Sequence, residues 1–281
     1  MTAQIFDERT CVLGEGPLWH PERKQLFWFD ILGKTLLSQH DGKSVSWVFD
    51  ECVSAAGWID TETLLIASET GLSQFDLQSG ERSLIVPLEV DQPLTRSNDG
   101  RADPWGGFWI GTMGFKAERE MGAIYRLYKG ELRELIGDIT ISNSIAFSPD
   151  RHFAYYTDTP TRQIMKIPLN SEDGWPAGKA EVFVDLKQSK RNPDGSVVDS
   201  EGCLWNAQWG AGQVVRYAPD GTLIETHDVP AVQATCPAFG GPDLETIFVT
   251  SAAQGRNGAQ DGQTFQFAAG VKGQREHRII L

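Results

Sequence analysis

The chain is short of the residues that most often build metal and nucleophile sites. Its four cysteines, Cys11, Cys52, Cys203 and Cys236, are scattered. With no CxxC pair, they exclude zinc-finger spacing and a redox dithiol. The five histidines show no H-E-x-x-H spacing, and no G-x-S-x-G elbow is present, which removes the zincin and serine-hydrolase patterns. No apolar run approaches the roughly 18 residues of a membrane span. The opening MTAQIFDERT has no basic segment leading into an apolar one, so no secretory signal is expected. Free, buried thiols in a reducing cytoplasm follow from that reading. Positive charge is also in deficit. Net charge is −13 and the isoelectric point near 4.8, so nucleic-acid phosphates would be repelled.

Long helical periodicity is missing too, while glycine is evenly spread and apolar runs are short. That combination predicts many short strands joined by turns. Six segments share one pattern, beginning at GEGPLWH, SAAGWID, SNDGRAD, SNSIAFS, NPDGSVVD and TCPAFGG. The residues closing their first strands are His20, Asp60, Asp103, Ser148, Asp199 and Gly240, spaced about 40 to about 51 residues apart. This is the size of a four-stranded propeller blade. Aromatic second strands follow, as in QLFWFDI, GFWIGTM, FAYYTD and CLWNAQW. A length of 281 would accommodate two domains, but the repeats run nearly end to end without a linker. The expected fold is all-β: a single six-bladed β-propeller over 1–281, built of four-stranded antiparallel blades. The terminal segments RTCVL and HRIIL are expected to pair in one blade and close the ring.

Five residues before each mark stand Glu15, Ala55, Asn98, Asn143, Asp194 and Thr235. Equivalent positions in a propeller lie on a ring about the axis, and a position just ahead of the innermost strand lies at one mouth of the channel. Asp and Asn are common turn formers, so a single one carries no argument. Four oxygen-bearing polar side chains in one register do, and Glu15, between two glycines, is a poor turn residue. An axial carboxylate needs a charge partner. A divalent cation supplies one, and this hard-oxygen set suits calcium, magnesium or manganese, with zinc also accepted. HDGKS ends like a phosphate-binding loop, but Leu37 stands where that loop needs glycine. DGSVVDSEG misses the alternation of a calcium-binding EF loop.

GEGPLW, AAGW, RSNDGRADPWGGFWIGTM, ISNSIAFSPD, PDG at Asp194, GCLWNAQWGAGQVVRY and FGG together resemble the senescence marker protein/gluconolactonase family, which includes regucalcin and sugar lactonases. The resemblance spans nearly the whole chain. It implies that Glu15, Asn143 and Asp194 bind one divalent metal, and that Asn98 and Arg96 contact substrate. Some members place a glutamate shortly after G-T-M to hold sugar hydroxyls. The shorter GTMGFKAEREMGAIY offers Lys116 or Glu118 for that role.

The resemblance therefore implies metal-dependent hydrolysis of a small sugar lactone to its aldonic or aldaric acid. Asp194 would be both ligand and base, with Arg96, Asn98 and Glu118 on the substrate. A non-catalytic metal- or ligand-binding regulatory propeller is the alternative, because fold alone does not fix chemistry.

Overall fold

A computed structural model describes residues 3–281. Six sheets of four antiparallel strands stand around one axis. The innermost strands are Gly14–His20, Val53–Trp58, Thr95–Ala102, Ser142–Phe147, Asn192–Val198 and Ala234–Gly240. We number the blades one to six in that order. Among the described residues the only helical piece is the 3-10 turn Thr159–Thr161, and no helix is long and apolar enough to cross a membrane.

Each blade is packed between two others, so its second strand is covered on both faces. The strands Gln25–Asp30 and Phe108–Gly114 are accordingly buried at every residue, and read as continuous apolar runs instead of alternating ones. Their rings fill the spaces between blades: Phe27 and Phe29 pack with Trp58 and Phe75, and Trp109 packs edge-on against Phe147. Outermost strands such as Lys43–Val48 and Leu223–Asp228 show no fully buried residue and carry the polar surface.

The marks that revealed the repeat close the turn after each innermost strand. Asp103 Oδ1 accepts the amides of Trp105 and Gly107, and its Oδ2 accepts Arg126 Nε at 2.7 Å. Asp199 does the same with Glu201, Cys203, Trp205 and Arg216. In blade four Ser148 Oγ accepts the Phe153 amide, and in blade one His20 Nδ1 accepts the amides of Glu22 and Arg23. One geometric task, met by different acceptors, keeps the register legible.

Sheet order in blade six places Gln4–Asp7 outermost, paired with Thr264–Ala268, so the N-terminus completes the blade that the C-terminal part begins. The expected pairing of RTCVL with HRIIL is corrected. Cys11 bonds the backbone of Gly262, and Leu13 bridges Ala252. The tail instead crosses the end of the channel opposite the cavity described below. Its backbone meets Leu244, Ser200, Trp58 and Gly106, while Gln274 reaches the carbonyls of Phe147 and Val198. Arg275 lies near Glu22, so all six blades are touched. Ile279 is buried between blades two and three, a better berth for an apolar side chain than a sheet edge.

Within the tail, Glu276 pairs with Arg101, which also donates to the carbonyls of Ile145 and Ser196. Removing the carboxylate would leave a buried guanidinium without its counter-charge. Glu276→Ala is predicted to destabilise the protein by about 3–5 kcal/mol, read by urea unfolding. A loss under about 1 kcal/mol, the value of an exposed pair, would show that the tail does not hold the ring.

Candidate functional site

The six ring positions lie within the innermost strands, at a break in pairing, and not ahead of those strands as the sequence suggested. In every blade the register with the second strand slips here, between Glu15 and Leu18, Val53 and Ala55, Ser97 and Gly100, Asn143 and Ala146, Pro193 and Ser196, and Ala234 and Pro237. A bulge re-aims the side chains beside it. Glycine makes the bulge possible at two of the positions. Gly16 has φ +53° and a Cβ there would meet the Ser54 carbonyl; one at Gly195 would meet Cys236. Ser144, following Asn143, holds φ 60° without being glycine, a strained conformation kept beside the site.

Four of the six ring residues, Glu15, Asn98, Asn143 and Asp194, line one cavity of about 330 Å³, together with Arg96. The other two have structural work. Ala55 is in the core between blades, and Thr235 donates to the Gly14 carbonyl at 2.6 Å. All four cavity members are buried.

Their hydrogen bonds fix how they face the space. Asn143 donates Nδ2–H to Thr159 Oγ1 at 3.0 Å, and its Oδ1 accepts Asn98 Nδ2–H at 3.2 Å, which leaves that oxygen one further lone pair. Asn98 is fully committed: Oδ1 accepts Arg96 Nη1 at 2.8 Å, while Nδ2 donates to the Ser142 carbonyl. An amide oxygen already held by a guanidinium is a poor metal donor, which separates Asn98 from Asn143. The Asp194 backbone carbonyl is held by Ser144 and Asn206. Arg96 Nε is buried with no acceptor.

Electrostatics single out the carboxylates. Burial pushes Glu15 up to about 8, the charge of Asp99 adding to it. Burial, then the charges of Glu15 and Asp99, raise Asp194 well above the carboxylate range. Asp99 itself is raised to about 6 by burial, although its carboxylate accepts the Ile145 amide at 2.7 Å. Three acidic side chains therefore crowd the top of the channel. Glu15, Asp194 and the amide oxygen of Asn143, held only by the neutral Asn98 amide, make a hard-oxygen donor set that fits one divalent cation. The described residues hold no group of three or more His, Cys, Asp or Glu side chains able to bind a metal, so a set built on these two carboxylates would include the Asn143 amide.

Glu118 does not reach the cavity. Its carboxylate turns back to accept the Lys116 amide at 2.9 Å, and Lys116 lines the cavity instead, with Phe115 and Ala117.

Sequence reasoning missed Asp99 and most of the wall. Asp99 follows Asn98 inside the bulge, where alternation fails and two consecutive side chains turn inward. The wall residues Leu32, Phe115, Lys116, Ala117, Thr159 and Gln254 come from one repeated place, the connection after each blade's second strand, and Trp209 ends such a strand. Stepping each blade to that connection would have found them. Blade two contributes nothing: its connection is only Glu69 and Thr70.

A family model described as SMP-30/Gluconolactonase/LRE-like region matches residues 13–253. The chain is 38% identical to L-arabinolactonase of Azospirillum brasilense over 90% of this chain and 85% of that one. It is 36% identical to 6-deoxy-6-sulfogluconolactonase of Pseudomonas putida over 91% and 89%. Among solved structures, a calcium-binding protein, regucalcin, from Agrobacterium tumefaciens superposes with a TM-score of 0.97 at 43% identity, covering 100% of this chain and 98% of that one. The protein belongs to the SMP-30/gluconolactonase family.

Proposed function

We propose that the protein is a lactonase that hydrolyses sugar lactones to open-chain acids, with Glu15, Asn143 and Asp194 holding one divalent cation. The observation that carries this reading is the pair of buried carboxylates sharing a cavity with an oriented amide oxygen. The lactonase names of the arabinolactonase and sulfogluconolactonase relatives support it. When bound, the cation supplies Lewis-acid polarisation of a carbonyl and a lower pKa for water.

The side chains supply the rest. Asp194 takes a proton from the attacking water, whose oxygen forms the new bond to the carbonyl carbon. The ring C–O bond then breaks and the departing oxygen recovers a proton, leaving a hydroxy acid. Arg96 offers its unpaired Nε–H to a substrate oxygen. Asn98 holds that guanidinium in place through its Oδ1. Apolar walls from Leu13, Leu32, Met113, Ile141 and Trp209 give a sugar ring its packing surface and limit water.

A second reading, a metal-binding propeller without turnover, draws on the calcium-binding regucalcin neighbour. One assay separates the two: acid release from a lactone panel in the presence of calcium, zinc, magnesium or manganese, followed with a pH indicator. Asp194→Ala is predicted to lower turnover at least about 100-fold, the lower range for a lost general base, and to reduce bound metal. Full rate and full metal content in that variant would overturn the assignment.

Removing the cation should also reverse the usual effect of pH. Glu15 titrates near 8 when folded against 4.5 ordinarily, so between those values the folded protein keeps a proton that the unfolded chain has lost. Stability therefore falls as pH rises through that window. Chelator-treated protein is predicted to melt at progressively lower temperature from pH 5 to pH 8, with the decline lessened in Glu15→Gln and by added cation. An unchanged decline in Glu15→Gln would contradict the role given to this carboxyl.

A further inference from the structure

Four ionisable side chains line the cavity: Glu15, Asp194, Arg96 and Lys116. On the reading that the two carboxylates hold a divalent cation, their charge is neutralised, and the lining keeps two positive side chains. Neither makes an ion pair among the described residues. Glu69 lies near enough to Arg96 to favour its charge, but its carboxylate accepts the Cys52 amide. On the loop carrying Lys116, Arg119 pairs with Glu120, and Glu118 accepts a backbone amide.

The loop is also built to present it. Phe115 N–H donates to the Leu94 carbonyl and Ala117 N–H to the Gly114 carbonyl, and Ala117 adopts φ 56°. With the Glu118 cap, these bonds define a tight turn whose Phe115, Lys116 and Ala117 form the rim on the blade-three side. Lys116 is exposed, whereas Arg96 is buried beside Asn98. The two cations therefore serve different parts of a bound molecule. Arg96 belongs to the reacting end, near Glu15 and Asn143, and Lys116 to the outer end.

We propose that Lys116 selects lactones whose end remote from the carbonyl carries an anionic oxygen group, a carboxylate or a sulfonate, over lactones ending in a neutral hydroxymethyl. This rests on the lactonase reading and deepens it by naming the substrate class.

The test compares kcat/KM for three lactones of matched ring, ending in hydroxymethyl, carboxylate or sulfonate, with wild type, Lys116→Gln and Lys116→Arg. In wild type at least one anionic lactone should be preferred roughly five- to tenfold, and high salt should narrow the preference. In Lys116→Gln the ratio of anionic-lactone to hydroxymethyl-lactone kcat/KM should fall to about one, and Lys116→Arg should restore it. Whichever anion is preferred identifies its source. Equal turnover of all three by wild type, or an equal fall on all three in Lys116→Gln, would overturn the proposal. Calorimetric binding of the corresponding open-chain acids to the metal-loaded protein separates failure of the lactonase reading from failure of this one. A doubly charged acid that binds more tightly than the singly charged one, with Lys116→Gln removing the difference, supports the selection even without turnover. No difference overturns it.

Discussion

Two carboxylates buried in one cavity, with a third behind them, are the constraint on which this structure turns. An unpaired buried charge is costly, and among the described residues Glu15, Asp194 and Asp99 make no arginine or lysine ion pair, the charges of Arg96 and Arg101 offsetting burial only in part at Glu15 and Asp99. Burial pushes all three upward, and the charges of neighbouring carboxylates add to it at Glu15 and Asp194. Two states relieve the conflict: the carboxyls keep protons, or a cation replaces them. On the proposed lactonase reading the second is the working state, because a protonated Asp194 cannot take a proton from water.

The scaffold is arranged to impose that conflict. Pairing breaks at the same point in six innermost strands, and the breaks turn side chains toward the axis at the cavity end of the channel. Below them the axis is packed with hydroxyls and amides, where Ser54 meets Ser97 and Ser196 meets Ser144. At the far end the C-terminal tail spans all six blades and places Glu276 against Arg101. Arg101 lies three residues from Asn98 on the same strand, so the tail also braces the blade that supplies Arg96 and Asn98.

The propeller and the ring were legible because both follow from repetition. His20, Asp103, Ser148 and Asp199 recur to close one kind of turn, and counting back five residues reaches Glu15, Asn98, Asn143 and Asp194. The tripeptide PDG occurs twice, at 193–195 and 219–221, and position separates the two copies. Asp220 is exposed and caps the Thr222 amide in a hairpin, whereas Asp194 lies in a strand bulge on the cavity. Features that depend on irregular backbone were not legible. Asp99 faces inward only because a bulge breaks the alternation. Glu118 looked like a substrate contact from its place after GTM, yet the short loop needs its carboxylate as a cap and turns Lys116 to the cavity. The tail carries no pattern that distinguishes a strand from an extended strap, and HRIIL reads as either.

The central claim is that a cation takes the place of protons at Glu15 and Asp194. Calorimetric titration of a divalent cation into chelator-treated protein at pH 7, repeated in buffers of different ionisation enthalpy, counts the protons released on binding. Release of about one proton or more per cation is expected at pH 7, falling toward zero above about pH 9. Binding with no proton release at pH 7, or no binding by any of the four cations, would contradict it.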